Sequence, residues 1–377
     1  MGRPLPAGAL GFDIFCKVVD NFGDIGVCWR LAKQLAGFPA SGAVRLWVDD
    51  LVSFAKIEPA VTPGASQQSV QGVTLIHWTE TTPPLTPHNV VIEAFACDPP
   101  PQFIARMVQQ KSLWINLEYL SAEAWVESCH AHLSLQANGL RKCFFFPGFT
   151  PKTGGLLREN SLLEKRDSWL KQADLRWQML QRLGMPANLV NGLQHGWRQV
   201  FLFCYPSAPA QALAQALALQ DTPSVIIVPA GVYPSLKDQA AENVYIIEIP
   251  FVDQSVFDQL LWCSDLNFVR GEDSLVRALW AAKPLIWQIY EQDAQTHLSK
   301  LRAWLARSPF DSGIHKLMEA WNTGDTNAVA LQLGQALQPA SLCTWQQQAR
   351  QWSEKLVGQS DLAHSLIEFC AKNRRTG

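Results

Sequence analysis

The chain has 377 residues, 48% hydrophobic and 17% charged, with a net charge of −2. That length suggests two domains, and the composition excludes a disordered chain. The lack of a basic excess excludes a dedicated nucleic-acid binder.

The nine cysteines (Cys16, Cys28, Cys97, Cys129, Cys143, Cys204, Cys263, Cys343 and Cys370) are scattered and odd in number. They show no CxxC or Cys/His ligand spacing, so structural zinc is not expected. Most sit in apolar runs and read as small buried hydrophobes in a reducing cytosol. No apolar run follows Met1-Gly2-Arg3-Pro4, and nowhere do about 18 apolar residues run together, so a soluble, cytoplasmic protein without a membrane partner is expected. The 15 tryptophans are expected in packing.

In chain order, β-rich runs at 12–19, 44–48, 73–77, 90–95, 113–117 and 143–146 alternate with helical spacing at 25–36, 101–110 and 122–127. Alternation of this kind predicts a mainly parallel sheet with helices on both faces. An amphipathic helix is expected over 162–183, ended by Gly184 and Pro186. A second series follows, with strands at 200–205, 224–228, 244–249, 266–269 and 285–289 and helices at 208–218, 255–262, 274–281 and 294–306. The rest, from residue 328 on, reads as helical. The expected organisation is a Rossmann-like domain over 1–155, a linker over 156–190, a second Rossmann-like domain over 191–345, and C-terminal helices over 346–377 that pack back towards the first domain.

The first strand runs into Asp20-Asn21-Phe22-Gly23-Asp24, which places two carboxylates around a glycine turn before a helix. In α/β folds the carboxyl ends of the strands are where ligands bind. Asp24 directly precedes the expected helix and is placed either to cap it or to act in chemistry. Asp20 has no helix to cap, which favours function. Asp49-Asp50 reads as a solvated turn rather than a metal site.

In the second half, Arg270-Gly271-Glu272-Asp273-Ser274 follows a strand and opens a helix. The free N–H groups of a helix N-terminus suit a diphosphate, and Glu272 suits ribose hydroxyls, while Asp273 or Ser274 serves equally well as a cap. Phe251 and Gln254, after another strand, suit stacking and edge recognition of a nucleobase, and Tyr205 and Tyr290 end two further strands. These strand ends favour a nucleotide site. There is no GxGxxG, GxxxxGK[ST] or GxSxG motif, which disfavours nicotinamide enzymes, P-loop kinases and serine hydrolases. The eight histidines show no metal spacing, so a metal-independent mechanism is the working expectation.

Asp20-Asn21-Phe22-Gly23-Asp24-Ile25-Gly26-Val27-Cys28-Trp29-Arg30-Leu31 resembles the signature of the bacterial protein-arginine rhamnosyltransferases (EarP). So do Phe268-Val269-Arg270-Gly271-Glu272-Asp273-Ser274, Trp280-Ala281-Ala282-Lys283-Pro284 and Trp287-Gln288-Ile289-Tyr290, in order and at suitable spacing. Ala282 stands where the family motif has glycine.

The resemblance implies a GT-B architecture, with two Rossmann-like domains facing a central cleft. It implies inverting transfer of rhamnose from dTDP-β-L-rhamnose to an arginine of translation elongation factor P, without cofactor or metal. It makes Asp20 the general base and Asp24 a second essential acid. Donor contacts fall by the resemblance to Tyr205, Phe251, Gln254, Glu272, Asp273, Ser274 and Tyr290, and Asn21, Phe22, Gly23, Arg270 and Gly271 are expected beside them in donor binding. Two other readings stand beside it: a GT-B glycosyltransferase or sugar-nucleotide epimerase acting on a small molecule, and a non-catalytic binder of a translation factor.

Overall fold

The computed structural model describes residues 9–19, 22–82, 84–291 and 296–373, so Asp20 and Asn21 lie outside the described residues. The chain divides into two units, one running to Glu159 and resuming at Gln359, the other spanning Asn160–Gly358.

The first unit carries β1 (Leu10–Cys16), α1 (Gly23–Ala36), β2 (Ser41–Val48), α2 (Leu51–Ile57), β3 (Gln67–Val70), β4 (Val73–His77), β5 (Val90–Ala94), α3 (Pro101–Gln110), β6 (Leu113–Leu117), α4 (Val126–Cys129), β7 (His132–Leu135) and β8 (Arg141–Phe145). The sheet order is β3-β4-β2-β1-β5-β6-β8-β7. The pairings from β4 to β8 are parallel, and only β3 and β7, at the edges, run antiparallel.

β1 is central and buried along its length. Its near-continuous apolar run is what a strand covered on both faces requires. The exception is Asp13, which is fully buried but grips Arg45 through both carboxylate oxygens at 2.6 and 2.7 Å and accepts from Trp47 Nε1 at 2.8 Å. A charge inside a core is tolerated only when paired in this way.

The second unit opens on α5 (Leu162–Leu170), α6 (Ala173–Arg182) and α7 (Ala187–Gln194). It continues with β9 (Arg198–Phe203), α8 (Ala210–Ala218), β10 (Ser224–Pro229), β11 (Val244–Ile249), α9 (Gln254–Cys263), β12 (Leu266–Arg270), α10 (Gly271–Ala281) and β13 (Leu285–Gln288). Helices α11 (Thr296–Arg307), α12 (Ser312–Thr323), α13 (Thr326–Ala336) and α14 (Pro339–Val357) close it. The last helix, α15 (Leu362–Asn373), belongs to the first unit and packs on α1. The sheet order β11-β10-β9-β12-β13 is parallel throughout, so the expected α/β fold with two Rossmann-like parallel sheets is what the chain adopts. Arg277 and Asp258 form a buried bidentate pair at 3.0 and 2.6 Å that ties α10 to α9. No described helix is long and apolar enough to cross a membrane.

Several expected bounds differ. The first strand ends at Cys16, leaving a longer connection to α1. The long helix over 162–183 is two, α5 and α6, separated at Lys171 and Gln172. Around 122–127 only the short α4 forms, one turn further on. Asp50 caps α2 by accepting from Ser53 N–H at 2.9 Å, so it is a helix cap rather than a solvated turn. The adjacent Asp49 accepts from Val18 N–H at 2.9 Å and pins the segment leaving β1.

Candidate active site

In the first unit, parallel β1, β5 and β6 all deliver their following loops to one rim. α1 begins at Gly23, with Phe22 at the cap position and no side-chain cap bond there. Asp24 is therefore not the cap. It sits in the first turn, 3% exposed, and its Oδ2 accepts from Val19 N–H at 2.9 Å. A carboxylate in the first turn is favoured by the helix dipole, and this one also ties the turn back to the segment leaving β1. Phe22 packs on the core of this unit, beneath the Lys56 ammonium at 5.7 Å. Asp20 and Asn21 occupy the two positions before it, outside the described residues.

The turn after β5 packs against the end of β1. Cys97 Sγ lies 3.3 Å from Phe15 O, and burial holds its thiol at about 12. Cys16 is also raised well above the ordinary thiol value, chiefly by its hydrogen bond with Cys28 and then by burial. These thiols are therefore protonated packing groups. Six of the nine cysteines are buried, as their apolar settings imply.

In the second unit, the carboxyl ends of β9, β12 and β13 bring three expected residues together. The Arg270 guanidinium lies 4.6 Å over the Tyr205 ring and 5.0 Å over Phe203. Tyr205 meets Tyr290 edge to face at 5.8 Å. Gln288 locks this arrangement, accepting from Tyr205 N–H at 2.8 Å and reaching Ser207 at 3.2 Å. Beside it opens a cavity of about 350 Å³ lined by Tyr205, Ser207, Gln288, Tyr290, His297 and Asn322. Gln288, Ser207 and Asn322 were not singled out from sequence. Their roles rest on tertiary hydrogen bonds, and Gln288 is buried where it makes them.

α10 starts at Gly271, three residues before the expected Ser274. Gly271 turns at φ +61°, where any side chain is strained. Ser274 bonds back to Arg270, accepting from its N–H at 3.1 Å and donating to its carbonyl. Glu272 and Asp273 fill the half-buried first turn. Phe251 is 43% exposed beyond β11, with β10 and β9 between that strand and β12. Gln254 is the first residue of α9, which Asp253 caps through Ser255 and Val256 N–H. Among the described residues no three His, Cys, Asp or Glu side chains gather as a metal-ligand set would.

Four matches to known proteins bear on this arrangement. The family model of the elongation factor P (EF-P) rhamnosyltransferase EarP matches residues 12–371. A protein-arginine rhamnosyltransferase of Pseudomonas putida is 44% identical, with 95% of this chain and 98% of that protein covered. A solved structure described as the structural basis for EarP-mediated arginine glycosylation of translation elongation factor EF-P is 32% identical. It superposes with a TM-score of 0.62 and covers 97% of this chain and 99% of its own. The UDP-GlcNAc 2-epimerase of Neisseria meningitidis, bound to UDP-GlcNAc, shares the fold at 12% identity and a TM-score of 0.55, covering 96% of this chain and 100% of its own.

Proposed function

The chain belongs to the EarP family of rhamnosyltransferases, and from that premise we propose that it moves rhamnose from dTDP-β-L-rhamnose to an arginine of elongation factor P by a single inverting displacement. The observation that carries this reading is the carboxylate-bearing turn after β1, whose Asp24 is buried and tied to Val19 N–H at 2.9 Å.

Arginine is a poor nucleophile, because its charge is delocalised and its pKa lies far above neutrality. A carboxylate that grips the guanidinium fork localises electron density and takes the proton as the new C–N bond forms. Asp20 is the proposed base, and Asp24 the acid that holds the turn in place. Inversion needs one base and no enzyme nucleophile.

On the donor side, Arg270 is stacked over Tyr205, a position suited to a diphosphate beside an aromatic wall. Backbone N–H groups in the first turn of α10 are suited to the departing phosphate charge, so no metal is required by this scheme. Glu272 is the proposed ribose partner, and Phe251 and Gln254 are proposed to meet the base. Asp273, Ser274 and Tyr290 complete the donor contacts, together with Asn21, Phe22, Gly23 and Gly271.

The test is incubation with dTDP-β-L-rhamnose and elongation factor P. Fragmentation mass spectrometry then locates the added deoxyhexose, and NMR reads its anomeric configuration. An α-linked sugar on one arginine is expected; a β-linkage, or no sugar on arginine, sinks the proposal.

A further inference from the structure

The rim of the first unit holds a feature that the donor and base assignments do not use. Immediately after β5, Phe95, Ala96 and Asp98 all take positive φ, at +59°, +55° and +45°. Three non-glycine residues in the left-handed region within four positions are costly, and such strain collects where geometry serves function.

Surrounding bonds hold the turn in this shape. Phe95 N–H donates to Leu117 O at 2.8 Å, Ala96 N–H to Asn116 Oδ1 at 3.1 Å, and Cys97 Sγ reaches Phe15 O. Asn116 Nδ2 in turn donates to Glu118 Oε1 at 2.6 Å.

The strained turn presents the Phe95 ring flat against Tyr119, with centroids 4.4 Å apart and planes 13° from parallel. Tyr119, in the loop after β6, is 41% exposed. β5 lies parallel beside β1, so the turn that holds Phe95 leaves the same edge of the sheet as the segment that leads to Asp24.

We propose that Tyr119, backed by Phe95, is the platform on which the acceptor arginine lies, a specificity-determining contact that rests on the arginine-transfer reading above. A guanidinium is planar and weakly hydrated, and it stacks on an aromatic face at little desolvation cost. A ring already clamped by a second ring loses little freedom when it binds. Glu118, the residue before Tyr119, is held in place by Asn116 and adds a carboxylate to the same loop. Lysine, a compact and strongly hydrated charge, gains much less from such a surface.

The test measures elongation factor P binding and transfer kinetics for wild type, Tyr119→Ala and Tyr119→Phe, with dTDP affinity followed by calorimetry. Tyr119→Ala raises acceptor KM and Kd about tenfold while dTDP affinity holds, and Tyr119→Phe stays within about twofold of wild type. Phe95→Gly, which accepts the positive φ but removes the backing ring, falls between them.

The effect of Tyr119→Ala on binding vanishes against an acceptor whose modified arginine is replaced by alanine. An unchanged acceptor Kd, a parallel loss of dTDP affinity, or an effect that persists without the arginine overturns the proposal. Failure of the function reading looks different: wild type binds the acceptor through Tyr119 yet adds no sugar.

Discussion

Replacing Asp24 separates a positional role from a chemical one. In the structure Asp24 Oδ2 accepts from Val19 N–H at 2.9 Å, and the carboxylate lies buried in the first turn of α1. Asp24→Asn keeps an acceptor but turns a charge-assisted bond into a neutral one, a loss of about 1 kcal/mol. It also gives up the favourable interaction with the helix N-terminus, about 0.5 kcal/mol more. Asp24→Ala removes the acceptor as well and adds roughly another 1 kcal/mol. Urea unfolding of the two variants should therefore show losses near about 1.5 and about 2.5 kcal/mol. If Asp24 only positions the turn, rhamnosyl transfer falls in the same order. If its charge acts on the acceptor, Asn and Ala are equally inactive despite their different stabilities. Both variants unfolding within about 0.5 kcal/mol of wild type would refute the reasoning, because neither interaction would then hold the turn.

Three further outcomes follow from particular contacts. Arg270→Lys loses the planar stack over Tyr205 and Phe203, worth about 1 kcal/mol, so calorimetry should show dTDP binding weakened about fivefold with little change in acceptor affinity. Ala282 ends α10 in the left-handed region at φ +56°. Ala282→Gly relieves that strain, partly offset by glycine's greater unfolded freedom, and should raise stability by about 0.5 kcal/mol in urea unfolding. His130 accepts from Phe146 N–H at 3.1 Å, and burial lowers it from 6.5 to about 4. The unfolded chain thus takes up this proton first, so the contribution is full above the ordinary imidazole value and is lost as pH falls towards 4. Allowing for the partly exposed ring, the loss is about 2 kcal/mol, and His130→Asn should flatten that part of the stability–pH curve.

What the sequence made legible follows from burial. Strands such as β9, β10 and β12 are covered on both faces, so they appear as short continuous apolar runs and were placed within a residue or two. The edge strands β3 and β7 were not anticipated. Gln67-Gln68-Ser69-Val70 is mostly polar, and β7 is exposed throughout, so neither carries an apolar run. The break between α5 and α6 has no glycine or proline to mark it, which is why one continuous helix was expected.

Tyr205, Arg270 and Tyr290, singled out because strand ends announce a rim, do come together in the structure. Gln288 and Asn322 do their work through tertiary hydrogen bonds that no local pattern encodes. The left-handed turn at Phe95, Ala96 and Asp98 was equally silent, since none of these residues is glycine. Asp24 was read as either a cap or a chemical group; the cap reading fails because α1 starts at Gly23, two residues before the expected Ile25, which puts Asp24 inside the first turn.

The central claim is that Asp20 takes the proton from the acceptor arginine. Its most direct measurement is the initial rate of sugar addition to elongation factor P, read by intact mass, for wild type and Asp20→Asn, with dTDP affinity measured alongside. The account predicts a deoxyhexose added by wild type, a rate lowered at least about a hundredfold in Asp20→Asn, and unchanged dTDP affinity. Transfer by Asp20→Asn at a rate near that of wild type would contradict it.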